Sequence, residues 1–229
     1  MSDRITGISS MATRQLLAEL GAAHERRTGR QVSIRSVGGV EAARLVRAGE
    51  PFDLVLLASD AMEALEGEGW IVPGSRTGFA RSGIAMAIRQ GAPRPAVGDA
   101  EAVRQAVLAA PRIGFSTGPS GSYLKALWER WGIGEAIADR LVQAPPGVPV
   151  GTLLARGEVE LGFQQLSELL GLPGIDVIGP LPAPIQSMTL FSSGIGRASR
   201  QPDAVRALVA ALNAPEAAAV KRRHGMEPG

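Results

Sequence analysis

The sequence predicts an α/β protein of two lobes, each a mainly parallel sheet flanked by helices, with two crossover strands and a cleft between the lobes. Three observations lead there. Strand and helix patterns alternate through the first eighty residues, and the alternation resumes from about residue 99. Two long apolar runs, 82–88 and 187–195, separate the blocks and read as a crossover and its return. On this reading residues 1–81 and 192–229 form the first lobe and 82–191 the second.

The elements follow in order. Residues 5–9 are an apolar strand, and 12–28 carry Leu16, Leu17, Leu20 and Ala23 at helical spacing, closed by Gly29. A strand at 32–36, a helix at 40–48 and a buried strand at 53–57 come next; Ser59-Asp60 then caps a helix to about Glu68. This β-α-β-α-β-α order requires right-handed crossovers and parallel strands. Gly91-Ala92-Pro93-Arg94-Pro95 breaks the chain after the first crossover. The second lobe continues with a helix at 99–109, a strand at 112–115, a helix at 120–131 and a Pro-rich loop at 144–149. A helix to Ala155 and strands at 159–164 and 175–178 follow, and the 202–212 helix with the 215–224 segment completes the first lobe.

Composition narrows the function classes. With 229 residues the chain can bury one large core or two small ones. A net charge of only +2 argues against a nucleic-acid surface, and Lys221-Arg222-Arg223 reads as the solvated face of a terminal helix. The absence of cysteine excludes disulfides and thiol chemistry. No apolar run approaches the about 18 residues a membrane span needs. The Met1-Ser2-Asp3-Arg4 start has no signal-peptide pattern, so the expected location is cytoplasmic, or periplasmic if a leader has been removed.

The chemistry concentrates where strands break into helices. Gly7-Ile8-Ser9-Ser10-Met11-Ala12-Thr13-Arg14 offers hydroxyls and unpaired N–H groups at a helix N-terminus, where the macrodipole favours an anion. Residues 113–122 repeat the arrangement with Ser116, Thr117, Ser120, Gly121 and Ser122, Pro119 marking the helix start. Two such turns predict one small anionic ligand held between the lobes.

Each candidate also has a plain structural reading. Ser9 and Ser10 are ligand donors or helix caps. Gly38 and Gly39 expose N–H groups to a ligand, or only supply a positive-φ turn. Arg81, followed by Ser82, can grip a carboxylate through two N–H groups, or is a surface arginine at a strand end. Ser120 or Gly121 donates to the ligand from the second turn. Gln164 and Gln165 end an apolar strand, where alternation lets only one of them point inward. Tyr123, Trp128 and Trp131 read as packing residues, and with 4% aromatics the chain is poorly suited to stacking on carbohydrate. His24 and His224 read as surface residues, so no metal site and no cofactor are expected.

Several stretches together resemble one family. Ser9-Ser10, residues 46–54 (Val-Arg-Ala-Gly-Glu-Pro-Phe-Asp-Leu), Ala58-Ser59-Asp60, residues 156–163 and the terminal 217–226 segment are similar to the type II periplasmic-binding-protein family, molybdate-binding branch, over about residues 5–226. The resemblance implies the two-lobed fold of that family. It also implies a tetrahedral oxyanion held by serine hydroxyls, N–H groups and a tyrosine from the second lobe. Pro149-Val150-Gly151 resembles a helix start that, in this family, offers backbone N–H groups to the ligand. This chain departs from the pattern at Val37-Gly38-Gly39-Val40, where the family has serines, and at Gln164-Gln165, where it has the tyrosine. Fewer hydroxyls and more space fit a larger, planar anion such as a di- or tricarboxylate.

Among enzymes that share the fold, the Ser-Ser-Met-Ala-Thr-Arg turn, the Gly-Gly turn and the Gly-Phe-Gln-Gln strand end resemble aconitate isomerases. The resemblance implies binding of a tricarboxylate such as aconitate and its isomerisation by a 1,3-proton shift. The candidates for moving the proton are Glu41 (if burial raises its pKa), Tyr123, or a hydroxyl relay through Ser10. The alternatives are a non-enzymatic solute-binding protein that serves an ABC permease for molybdate-type oxyanions or carboxylates, and a metabolite sensor acting through a protein partner.

Overall fold

The computed structural model describes residues 4–229. They divide into two compact units, one of the described residues up to Arg81 with Leu190–Gly229, the other Ser82–Thr189. The return crossing thus lies between Thr189 and Leu190, slightly earlier than the sequence reading drew it. In chain order the elements are β1 (Arg4–Ser10), α1 (Arg14–Thr28), β2 (Gln31–Val37), α2 (Gly39–Arg47), β3 (Leu54–Ala58), α3 (Ser59–Gly67) and β4 (Thr77–Arg89). Then come α4 (Ala100–Ala109), β5 (Ile113–Phe115), α5 (Pro119–Arg130), α6 (Gly134–Ile137), β6 (Leu141–Gln143), α7 (Val150–Ala155), β7 (Leu161–Gln165) and α8 (Leu166–Leu169). The chain closes with β8 (Ile175–Pro180), β9 (Met188–Ile195), α9 (Pro202–Leu212), α10 (Ala217–Arg223) and β10 (Glu227–Pro228).

In the first unit β1 lies between β2 and β3, both parallel to it, while β9 runs antiparallel to β3. The all-apolar β3 sequence follows from burial on both faces. Leu54, Leu56 and Ala58 meet α1 and α9, whereas Val55 and Leu57 meet α2 and α3. Asp53, just before β3, ties the unit together. Its carboxylate accepts from the Thr6 N–H (2.9 Å) and hydroxyl, from the Ser199 hydroxyl (2.7 Å) and from Gln201 Nε2 (3.1 Å). Burial works to raise the Asp53 pKa, but these four donors outweigh it and hold the carboxyl below its ordinary range.

In the second unit β4 pairs antiparallel with β7 and β8, and β5 lies parallel to β6 and β7. Alternation along β4 again sorts two layers: Ile84, Met86 and Ile88 pack with α4 and α5, and Ala85 and Ala87 with α7 and Leu169 of α8. Trp128 is a packing residue, edge-on to Phe115 and Phe163 at 5.7 and 6.1 Å between centroids.

Four local expectations need correcting. His24 is buried rather than on the surface, and burial, with the charges of Arg27 and Arg30, lowers its pKa. Its counterpart His224 is half-buried against Glu19, Nε2 to Oε2 2.8 Å. Lys221 is not a solvated residue. It is 3% exposed, donates to the Phe79 carbonyl (2.6 Å) and Asn213 Oδ1 (2.9 Å), and burial lowers its pKa to about 8. Ser59 and Asp60 do not cap α3: Ala58 occupies that position, and the Ser59 hydroxyl bonds Ser192 instead.

Candidate functional site

The first unit gathers four of the expected ligand residues at the C-terminal ends of β1 and β2. Ser9 and Ser10 end β1 beside Ser36 and Val37 of β2. The Ser9 hydroxyl is buried and engaged, 2.8 Å from the Ser36 hydroxyl. Ser10 turns the chain into the short 3-10 helix Met11–Thr13, yet its hydroxyl makes no capping bond. That oxygen is buried and has no partner among the described residues. A buried hydroxyl without a partner costs stability and calls for an explanation, and at the head of a helix a ligand supplies one.

Beside Ser10 the chain passes through Gly38, which precedes α2, and Gly39, its first residue. Neither glycine has a positive φ, so the turn reading fails. Nor does packing demand them. A Cβ on Gly38 would meet nothing within 4 Å, and one on Gly39 would only touch the Ser10 Cβ at 4.0 Å. Their missing side chains leave open space over the Ser10 turn and the first N–H groups of α2.

Two further expectations for this unit fare differently. Arg81 is exposed, lies opposite Glu227 of β10 in the ladder, and forms no ion pair among the described residues. Glu41 lacks the raised pKa its proton-carrier role requires. It lies 2.7 Å from Arg44 in a two-pronged ion pair on the α2 surface, and the Arg44 hydrogen bond lowers its pKa.

The second unit uses much of its expected donor set internally. Ser82 is buried, its hydroxyl 3.4 Å from that of Ser167. The Ser120 hydroxyl is 2.9 Å from that of Ser116. Gly121 has a packing reason to be glycine, because a Cβ there would overlap the Ser116 carbonyl oxygen. What α5 still offers is its first N–H groups, with Gly118 preceding it and Pro119 in its first turn. Tyr123 packs on the core and donates to the Ile185 carbonyl at 2.9 Å.

At the C-terminal end of β7 the side chains form a relay. The Val150 N–H, expected to be free for ligand, donates to Gln164 Oε1 at 2.8 Å. Gln164 Nε2 in turn donates to Glu168 Oε1 at 2.8 Å. Gln164 therefore has both ends of its amide occupied by other groups of the second unit. Gln165 is different. Its Nε2 reaches Thr189 Oγ1 at 2.8 Å, while its Oε1 is buried with no partner. Because the Thr189 hydroxyl can donate as well as accept, a flip of the amide would turn an NH2 group toward that unfilled position.

Sequence reasoning missed Glu168. Burial raises its carboxyl pKa to about 7, with the Gln164 hydrogen bond pulling the other way. The one signal was an acid four residues after Gln164, a spacing that means little until a helical turn is known to follow the strand. A separate cavity of about 280 Å³ in the first unit is lined by Phe52, Trp70, Glu50, Glu68 and Arg197 among others. None of the expected residues lines it.

Comparisons with known proteins place this geometry in context. Residues 5–227 match the family described as bacterial extracellular solute-binding protein. The chain is 37% identical to the aconitate isomerase of a Pseudomonas species over 231 residues, 98% of this chain and 87% of that protein. It is 29% identical over 222 residues to the molybdate-binding protein ModA of Azotobacter vinelandii, covering 91% and 84% of the two chains. In structure, an Azotobacter vinelandii periplasmic molybdate-binding protein superposes with a TM-score of 0.83 at 18% identity, covering 98% and 99%. The tungstate-binding protein TupA of Desulfovibrio alaskensis gives 0.68 at 15% identity, covering 99% and 98%. The match along nearly the whole chain makes this protein a member of the bacterial extracellular solute-binding protein family.

Proposed function

We propose that the protein binds a small tricarboxylate such as aconitate and interconverts its cis and trans forms by a 1,3-proton shift. The observation that carries this reading is the likeness to an aconitate isomerase, 37% identity over 98% of the chain. The local chemistry supports it. The Ser10 hydroxyl and the Arg81 guanidinium, without a partner and without an ion pair among the described residues, and the open glycine turn are donors for carboxylate groups. In the second unit the polar groups still open are the Gln165 amide and the first N–H groups of α5, those of Ser120 and Gly121 among them. In the reaction a C–H bond beside a carboxylate breaks, and its electron pair forms the new C=C bond. The old π pair takes a proton at the far allylic carbon. Negative charge moves onto carboxylate oxygens on the way, where N–H and O–H donors stabilise it.

The second reading is a solute-binding protein that delivers a carboxylate or oxyanion to an ABC permease without changing it. It is favoured by the 29% identity to a molybdate-binding protein. The test is to incubate the protein with trans-aconitate in D2O and follow the cis form and deuterium incorporation by NMR. Turnover that a Ser10→Ala variant lacks supports the isomerase. Binding without turnover or exchange selects the transport reading.

A further inference from the structure

We propose that Glu168 is the group that moves the proton, its carboxylate taking it from the substrate methylene and its acid form returning it across the allyl system. The assignment rests on the isomerase reading above. Four observations lead to it. Glu168 sits on α8, immediately after β7, at a strand C-terminal end, where open α/β sheets present groups to ligands. Gln164 Nε2 fixes Oε1 at 2.8 Å, and Gln164 is itself pinned by the Val150 N–H, so the carboxyl is held by a relay rather than by a counter-charge. Among the described residues Oε2 takes part in no hydrogen bond, and the residue keeps part of its surface open. Of the elements that meet α8, β7 and α7 carry no ionisable side chain, β4 carries Arg81 and Arg89 and β8 carries Asp176, and among the described residues none of these three forms an ion pair with Glu168, the one ionisable group on α8 itself.

The chemistry then balances within one residue. The carboxylate removes a proton as the C–H pair becomes the new double bond, and the resulting acid delivers that proton to the other allylic carbon. A carboxyl with its pKa at about 7 populates both forms near neutrality, which general acid–base work requires. Among the competing groups Glu41 is engaged with Arg44, the Tyr123 hydroxyl with the Ile185 carbonyl, and Asp53 with Thr6, Ser199 and Gln201, whereas the Ser10 hydroxyl is open but has no general base beside it among the described residues.

The test uses trans-aconitate in D2O with the full chain, Glu168→Gln, Glu168→Asp and, as an exposed control, Glu160→Gln. Glu168→Gln keeps the acceptor for Gln164 and is expected to lose turnover and deuterium exchange together by about 100-fold or more. Its affinity for trans-aconitate by calorimetry and its circular dichroism should stay close to those of the unaltered protein. Glu160→Gln should be unchanged. In the unaltered protein kcat should rise with pH through about 7, as the base form accumulates. Glu168→Asp, which retains an acid one methylene further back, should slow turnover and displace that limb. Full turnover in Glu168→Gln would overturn the assignment alone. If that variant does not fold, an unchanged rate and pH limb in Glu168→Asp would do so. No turnover or exchange in the unaltered protein would overturn the isomerase reading and the assignment with it.

Discussion

Asp53 of the first unit and Glu168 of the second are both carboxylates withdrawn from water, and their ionisation moves in opposite directions. Asp53 receives four hydrogen bonds from Thr6, Ser199 and Gln201, and its pKa falls despite burial. Glu168 receives one, from Gln164, and burial raises its pKa to about 7. Burial pushes both carboxyls up; the four donors on Asp53 outweigh it, and the single donor on Glu168 does not. The same contrast runs through the hydroxyls. Ser9 and Ser120 have partners, whereas Ser10 has none. In these two pairs the groups with partners hold the fold, and Ser10 and Glu168 keep an atom that a ligand or a proton can use.

Substitutions can break that contrast. The largest effect expected is the loss of turnover in Glu168→Gln, with folding intact. Asp53→Asn should do the reverse, lowering unfolding free energy by about 3 kcal/mol in urea titrations, because one face of the amide cannot accept those donors. The sign of its pH dependence is fixed by the lowered pKa. Asp53 contributes its full stabilisation above the unfolded value of about 3.9, and the contribution is lost as pH falls through the lower folded value. The gap between the unaltered protein and Asp53→Asn should therefore close in acid. Next comes a pair of glycines. Gly121→Ala forces a methyl against the Ser116 carbonyl and should cost about 2 kcal/mol. Gly38→Ala meets nothing and should cost about 1 kcal/mol or less, the penalty of alanine ahead of a helix. Thermal melts of the two variants measure the difference.

Much of the fold was legible in the sequence because it is written in local pattern. The continuous apolar run of β3, the long apolar run within β4 and Gly29, which closes α1 with φ 73° and an N–H bond to Glu25, are features of a few adjacent residues. The elements that escaped, β6, α6, α8 and β10, are at most four residues long and exist only through packing or pairing with distant chain. The site was legible in one sense: the serine and glycine turns of the first unit do adjoin. What the sequence could not show is which donors are already taken. Val150 and Gln164 are occupied by each other, and Glu168 gains its character from burial that no spacing reveals. His24 and Lys221 were misread for the same reason, since polar residues on a helix look exposed until the packing is known.

The smallest expected change in stability belongs to Ser10→Ala, and it tests the contrast most sharply. A partnered buried hydroxyl costs about 1 kcal/mol to remove, because its partner loses a bond. The Ser10 oxygen has no partner to orphan, and alanine removes a polar atom that is buried without compensation. Urea titration should therefore find Ser10→Ala within about 0.5 kcal/mol of the unaltered protein, or slightly more stable. Ser9→Ala, which strands the Ser36 hydroxyl, should be clearly destabilised. Carboxylate affinity should move the other way, falling about tenfold or more in Ser10→Ala if its hydroxyl donates to an anionic oxygen. A destabilised Ser10→Ala with unaltered affinity would make the hydroxyl a structural group. The first unit would then lose the polar atom that most separates it from an ordinary strand end.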